Sequence, residues 1–295
     1  MCRGMKVHLI DGTYELFRQH FGQVSRHGDA GPYAATVGVL SSTLQLIAEG
    51  ATHLGVASDH IIESFRNDLW PGYKTSSGMD DELLMQIPTM EAALVAMGIT
   101  TWAMVEFEAD DALGAAALVA ERDDRVTQAL IVTPDKDLGQ CVRGTRIVQY
   151  DRRKQEIVDE AGVISKFGVG PSSIPDYLGL VGDTADGFPG LAGWGAKSAS
   201  AVLARYEHLE AIPPTSGMWD IPGLRAAEKL ARTLHNDFEL ALLFRRIATI
   251  ETDVAVGTVD DWHWKGPTDE FAAIAEHIGA PSLAVRAQRL LERSR

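Results

Sequence analysis

The chain has 295 residues, 45% of them apolar and 23% charged, the make-up of a soluble globular protein and, at roughly 150 residues per domain, length for about two domains. Lysine and arginine number 27 against 41 aspartates and glutamates, a formal charge of -14, which excludes coating nucleic acid by bulk positive charge because that needs a basic face. No stretch approaches the ~18 uninterrupted apolar residues of a membrane span, and the segment from Met1 reaches the carboxylate of Asp11 after a short apolar run, so neither a membrane segment nor a signal peptide is expected. Cys2 and Cys141 stand far apart with no His or Cys at metal spacing, which speaks against a disulfide framework and against zinc and for a cytoplasmic location.

Val7 to Ile10 is a short apolar run ending at Asp11-Gly12, the pattern of a strand. Thr36 to Ala48 has helical spacing through Val37, Leu40, Leu44 and Ile47. His53 to Ala57 predicts a second strand, closed by Ser58-Asp59. The polar stretch that follows, through Arg66, the Trp70 to Lys74 segment and Ser76 to Gly78, predicts a loop or lid. Pro88 to Met97 is helical, Thr100 to Val105 a third strand, and Asp111 to Ala120 an alanine-rich helix that starts at acidic residues. A fourth strand, Ala129 to Thr133, runs into Pro134-Asp135, and Thr145 to Tyr150 reads as a weaker fifth strand.

Strands that alternate with helices and are apolar on both faces predict a mainly parallel sheet covered by helices, the α/β class. After Phe167 glycine, proline and helical periods take over, which predicts a helical second domain. Ser282 to Arg295 predicts a final amphipathic helix with Arg286, Arg289, Arg293 and Arg295 on a basic face. The expected division is 1–168 and 169–295.

The carboxylates fall at strand ends. Asp11 follows the first strand, Asp59 the second, Glu108, Asp110 and Asp111 the third, and Asp135 and Asp137 the fourth. Ligand sites of parallel sheets lie at the carboxyl ends of strands, so these side chains are expected to converge. Taken singly, each has a plainer reading as a helix cap or a turn residue. Together they repel: two carboxylates ~4 Å apart cost about 1 kcal/mol in water-like surroundings and about 4 at an effective dielectric of 20. Cations or raised pKa values must relieve this, and all-oxygen ligation suits Mg2+ or Mn2+.

Gly182-Asp183 and Asp186 precede a glycine-rich stretch, Gly190, Gly193 and Gly195, that leads into Ala196-Lys197-Ser198. Amides at a helix start beside a lysine suit a phosphate, and glycines allow close approach of main chain. Gly190 and Gly195 have the spacing of a nucleotide-binding P-loop, but Ala196 intrudes before Lys197-Ser198 and no strand precedes, so that reading is rejected and no small-molecule nucleotide cofactor is expected. Trp194 is read as a packing residue, and histidines such as His8, His53 and His60 as packing or surface residues, with His60 beside Asp59 the least settled.

These motifs, in this order, resemble the bacterial 5'-3' exonucleases and flap endonucleases, including the 5'-nuclease domain of the DNA polymerase I type. The markers are Leu9 to Thr13 with Phe17-Arg18; Asp59 with Phe65-Arg66 and Tyr73-Lys74; Glu108 to Asp111; Thr133 to Asp137; and Gly182-Asp183 through Ser198-Ala199. The resemblance covers about Lys6 to about Ile212 and implies a PIN-like α/β domain followed by a helical domain with a helix-hairpin-helix of the H3TH type at about 185–205. It further implies two divalent ions, Mg2+ or Mn2+, the first served by Asp11, Asp59, Glu108, Asp110 and Asp111 and the second by Asp135, Asp137, Asp183 and Asp186.

By the same resemblance Arg66 and Lys74 would face the scissile phosphate or the 5' strand, and Arg18, Gly190, Gly193, Gly195, Lys197 and Ser198 would contact DNA, with K+ at the hairpin carbonyls. The implied activity is two-metal hydrolysis of DNA with free 5' ends or 5' flaps, as in replication and repair, by an enzyme without a polymerase in this length. The alternatives are a PIN-type endoribonuclease and a non-catalytic DNA-structure-binding module. Thr75 to Gly78 departs from the further arginine the family usually places after the Tyr-Lys pair. A local basic track of Arg152, Arg153, Lys154, Lys166, Lys197 and Arg205 would have to offset the acidic balance.

Overall fold

The structure, a computed structural model, describes residues 4–27 and 31–294. Cys2 and Arg295 lie outside the described residues. In chain order the elements are β1 (Met5–Asp11), α1 (Gly12–His27), α2 (Ala34–Ala48), β2 (His53–Asp59), α3 (Phe65–Leu69), α4 (Asp81–Leu84), α5 (Gln86–Ala96) and β3 (Thr100–Met104). Next come α6 (Ala109–Arg122), β4 (Val126–Val132), β5 (Ile147–Asp151), β6 (Glu156–Val158), α7 (Glu160–Phe167) and α8 (Ile174–Val181). The chain continues with α9 (Ala196–Tyr206), α10 (Ala227–Asn236), α11 (Phe238–Ala248), α12 (Phe271–His277) and α13 (Ser282–Ser294). They form two compact units, each discontinuous in sequence: Met1–Ile62, Ser76–Thr133 and Thr252–Arg295 make the first, Glu63–Thr75 and Pro134–Glu251 the second.

In the first unit the expected parallel sheet is present, in the order β3-β2-β1-β4. Its strands are the apolar runs of the sequence; every residue of β2 is buried, as a strand covered on both faces requires. The chain steps in one direction from β1 to β2 to β3 and then crosses back to β4 beside β1. Right-handed crossovers therefore put α1, α2 and α5 on one face of the sheet and α6 on the other. The direction of winding reverses between β1 and β4, and a crevice opens at the carboxyl ends of strands at such a reversal. Asp11 is the last residue of β1, in register with Ala57 of β2, and Asp59 ends β2.

Sequence periodicity does not single out α1. Its arginines, histidines and glutamines interrupt the apolar positions, and Gly12 at its start gives the signal of a turn after β1 although the helix begins there directly. The C-terminal segment packs within this same unit. Trp102 and Trp262 meet edge to face at 5.6 Å, and Trp264 donates from Nε1 to the Met97 carbonyl at 2.9 Å. Arg286 of α13, expected on an exposed basic face, instead donates to the Ser41 carbonyl at 3.2 Å and to Gln45 Oε1 at 2.8 Å of α2.

The second unit is mostly helical around Phe188, Phe244, Leu178, Leu180, Val202 and Trp194. The weak fifth strand is real as β5, and it pairs antiparallel with β6, which the sequence reading omitted. Their connection carries Arg152, Arg153 and Lys154, with the amides of Arg153 and Lys154 donating to Asp151 Oδ1. The stretch read as loop or lid includes α3, started by a capping box in which Ser64 and Asn67 satisfy each other's backbone amides. Among the described residues no helix is long and apolar enough to cross a membrane.

Candidate metal centre

In the first unit the expected carboxylates sit at the carboxyl ends of the strands and at the start of α6. Asp11 is 6% exposed; Oδ1 accepts from the Tyr14 amide at 2.8 Å and Oδ2 from the Thr133 hydroxyl at 3.0 Å. Asp59 Oδ1 accepts from the Ala109 amide at 2.7 Å, which ties the end of β2 to the first turn of α6. Asp111 is fully buried, and its Oδ2 accepts from the Glu108 amide at 2.9 Å. Asp111 thus holds Glu108 in place as a helix cap does, while Asp110 stands half-buried beside it. Ser58 and His60 meet through Glu91, which sequence reasoning passed over. Buried Glu91 takes the Ser58 hydroxyl at 2.7 Å and His60 Nδ1 at 2.6 Å, which orients the ring next to Asp59.

In the second unit Asp137, Asp183 and Asp186 bring ligand oxygens within 4.8 Å of one another. Local structure explains how. Asp137 starts the tight turn Asp137–Cys141, with its amide held by Asp135 Oδ1 at 3.0 Å. Asp183 and Phe188 exchange backbone hydrogen bonds, closing a loop that returns Asp186 to the side of Asp183. Two glycines permit the hairpin that follows. A Cβ on Gly182 would meet the Pro189 carbonyl carbon at 2.3 Å, and one on Gly190 would meet the Gly182 amide nitrogen at 2.4 Å. Gly190, expected to let DNA approach, is required by its own chain.

Two lysines attend this group. Lys74 Nζ lies 3.2 Å from Asp186 Oδ1, and its amide donates to the Asp186 carbonyl at 3.0 Å. Lys136 Nζ is ion-paired to Asp183 Oδ2, a role no motif suggested although Lys136 sits between two of the expected aspartates. Burial works against the Lys136 ammonium, but its bond to Asp183 and the charges of Asp137, Asp183 and Asp135 outweigh it and hold its pKa above the usual lysine value.

Asp137 is the strained member. It is 8% exposed, and its Oδ1 is buried without a hydrogen-bond partner. Burial first, then the charges of Asp135, Asp186 and Asp183, push its carboxyl well above the usual carboxylate range. A buried carboxylate oxygen with nothing to accept is costly, and a hard divalent cation is the partner that an all-oxygen set of this kind accepts. The residues therefore fit a divalent ion.

The other expected residues divide. Arg66 is 3% exposed; Nε donates to the Ile247 carbonyl at 2.7 Å and Nη2 to the Thr249 carbonyl at 3.0 Å, and the guanidinium lies 4.6 Å from the Phe65 ring centroid. This arginine is buried and braces the end of α11 through two carbonyl acceptors. Arg18 pairs with Glu15 at 2.6 Å within α1. Gly195 is the N-cap of α9, and Ser198 Oγ accepts from the Gly195 amide at 3.0 Å, so the serine caps the helix.

Lys197 is exposed, and a Cβ added to Gly195 would meet nothing within 4 Å. A cavity of about 710 Å³ opens here, lined by Gly195, Lys197 and Ser198 and by Ile221, Leu224 and Ala226. Trp194 is 7% exposed and packs 6.2 Å from Trp219.

Comparison with known proteins identifies the family and the fold. Residues 6–168 match the family model described as the 5'-3' exonuclease N-terminal resolvase-like domain, and residues 169–270 the one described as the 5'-3' exonuclease C-terminal SAM fold. The chain is 32% identical to a protein named flap endonuclease Xni of Edwardsiella ictaluri, covering 85% of this chain and 95% of that one. It is 32% identical to DNA polymerase I of Pseudomonas aeruginosa, covering 90% of this chain but 29% of the polymerase, so it spans under a third of that relative's length. At 16% identity and a TM-score of 0.64, the crystal structure of the T5 D15 protein co-crystallised with metal ions shares the fold over 97% of this chain and 98% of that one. The catalytic core of Rad2 in complex with DNA substrate does so at a TM-score of 0.63, 16% identity and 97% and 92% coverage. With both family models matched in sequence order over residues 6–270, the chain belongs to the 5'-3' exonuclease family.

Proposed function

We propose that the chain is a divalent-metal-dependent 5' nuclease that hydrolyses phosphodiester bonds in DNA with free 5' ends or 5' flaps. The observation that carries this reading is the group of Asp137, Asp183 and Asp186, with the partnerless Oδ1 of Asp137 in it. Asp135, Asp137, Asp183 and Asp186 would hold one ion, and Asp11, Asp59, Glu108 and Asp110, with Asp111 bracing Glu108, the other. Mg2+ or Mn2+ bound there would lower the pKa of a water and stabilise charge on the attacking and leaving oxygens. No protein nucleophile is needed.

Lys74, on the flank of Asp186, supplies positive charge to a phosphate brought to the carboxylates. The hairpin from Gly190 to Ser198 grips duplex phosphates through the α9 amides and Lys197, with K+ on its main-chain carbonyls. Arg18, paired with Glu15 on α1, is proposed to contact DNA as well. The division at 168/169 is proposed as the boundary between a catalytic module and a DNA-binding module, as the junction of the two family models supports.

The test incubates the protein with a 5'-labelled flap, a blunt duplex, a single strand and the equivalent RNA, each with Mg2+ and with excess chelator. Mg2+-dependent ladders from the 5' end or a single cut at the flap junction are expected. Cleavage confined to RNA supports the endoribonuclease alternative, binding without cleavage supports the non-catalytic one, and undiminished cleavage in chelator overturns the metal assignment.

A further inference from the structure

We propose that Lys136 is a built-in counter-cation of the second unit's carboxylates and sets the concentration of divalent metal needed to load them. This rests on the metal reading above and extends it to a residue outside the expected ligand set. Both oxygens of Asp183 are engaged: Oδ1 accepts from the Ala185 amide at 3.0 Å, and Oδ2 is held by the Lys136 ammonium. The amide belongs to the closed loop between Asp183 and Phe188 and is fixed there. The lysine is a flexible four-carbon stem whose side chain is 36% exposed, so the ammonium is the partner able to leave. An ion ligated by Asp183 Oδ2 takes the oxygen that Lys136 holds.

Charge points the same way. Asp135, Asp137, Asp183 and Asp186 bring four carboxyl groups together against the two ammonium groups of Lys74 and Lys136, so acidic groups outnumber cations and the cluster attracts a further cation. The two lysines are not equivalent. Lys74 is also held by its main chain to the Asp186 carbonyl, whereas Lys136 precedes the Asp137–Cys141 turn and reaches Asp183 by its side chain. Lys136 does not satisfy the group completely, because Asp137 Oδ1 remains buried and partnerless beside it. A divalent ion satisfies that oxygen and the ammonium does not. Lys136 thus competes with metal without replacing it, and its loss removes both a competitor and a like charge.

The experiment uses the full chain without DNA. Mn2+ is titrated by calorimetry into wild type, Lys136→Met, Lys136→Arg and Asp183→Asn, and melting temperature is read in chelator and in saturating Mn2+. Asp183→Asn identifies the binding event that belongs to this group. Lys136→Met is expected to bind Mn2+ there about tenfold more tightly, equivalent to about 1.4 kcal/mol, and to melt lower than wild type in chelator only. Lys136→Arg, which keeps the cation, stays near wild type. Unchanged or weaker Mn2+ binding by Lys136→Met overturns the proposal while leaving the metal site intact. Absence of Mn2+ binding in wild type, or binding indifferent to Asp183→Asn, overturns the metal reading itself. If circular dichroism shows Lys136→Met to be unfolded, Lys136→Gln carries the same comparison.

Discussion

Replacing Asp137 by asparagine separates the metal reading from a purely structural one, because the two predict opposite changes in stability. The carboxylate is 8% exposed and one of its oxygens is buried without a partner. Leaving a buried polar group unsatisfied costs about 1–3 kcal/mol, and more when it is charged. Asp137→Asn removes the charge and gives the same position an amide that can donate to Asp183 or Asp186. In chelator the variant is therefore expected to be more stable by about 1–3 kcal/mol, a rise in melting temperature of roughly 2–10 °C for a unit of this size.

With metal the order reverses. At a free concentration 100 times the dissociation constant, a ligand that binds the folded state alone stabilises it by about 2.7 kcal/mol, and the variant loses most of that gain together with orders of magnitude in turnover. The pH dependence follows from the raised pKa of Asp137, which burial and then Asp135, Asp186 and Asp183 produce. The folded state holds a proton that the unfolded state has released, so wild-type stability in chelator declines as pH rises from the ordinary carboxylate range through the raised value, and the asparagine variant loses that slope. Thermal melts of both proteins, with and without Mg2+ and across pH, check this. A variant that melts lower than wild type in chelator, or gains as much from Mg2+ as wild type does, refutes the reasoning.

Lys197→Ala is expected to weaken duplex binding and to flatten its salt dependence by about one unit of slope, read by fluorescence anisotropy over a salt series; an unchanged slope assigns the hairpin to packing alone. Gly187→Ala is expected to destabilise the second unit by about 2 kcal/mol or more in a denaturant melt, because the residue has φ +82° and a Cβ there would lie 2.0 Å from the Gly72 carbonyl oxygen; a neutral result removes the clip between the Trp70 to Lys74 segment and the Asp186 loop. Burial first, and then the charge of His263, hold His53 below its usual pKa. The unfolded state therefore takes up a proton before the folded one, and stability present above about pH 6.5 is lost as pH falls from there toward the folded value. His53→Phe is expected to shrink the drop in melting temperature between pH 7.5 and pH 5.5, and an undiminished drop assigns the acid sensitivity elsewhere.

The strand ends and their acidic residues were legible in the sequence because each depends on local information. A buried parallel strand is an apolar run, its end is marked by a polar turn, and Asp11, Asp59, Glu108 and Asp137 stand at or just beyond such ends. The α/β class and the helical region after Phe167 follow from the same periodicities. Where local signals conflict, sequence reading fails. Gly12 marks a turn and yet opens α1, and the three residues of β6 are too few to show alternation.

Tertiary structure decided which charges meet. Asp137 lies some fifty positions before Asp183 and Asp186 in the chain, and only the Asp183–Phe188 loop closure and the turn at Asp137 bring their oxygens together. The same packing decided that Arg66 is buried against the carbonyls of Ile247 and Thr249, that Asp111 caps α6, and that Arg286 grips α2. Residue type and spacing state what a side chain is able to do; burial and the partners supplied by distant segments state what it does. Those partners come from long-range packing, for which no pattern over a few adjacent residues carries a record.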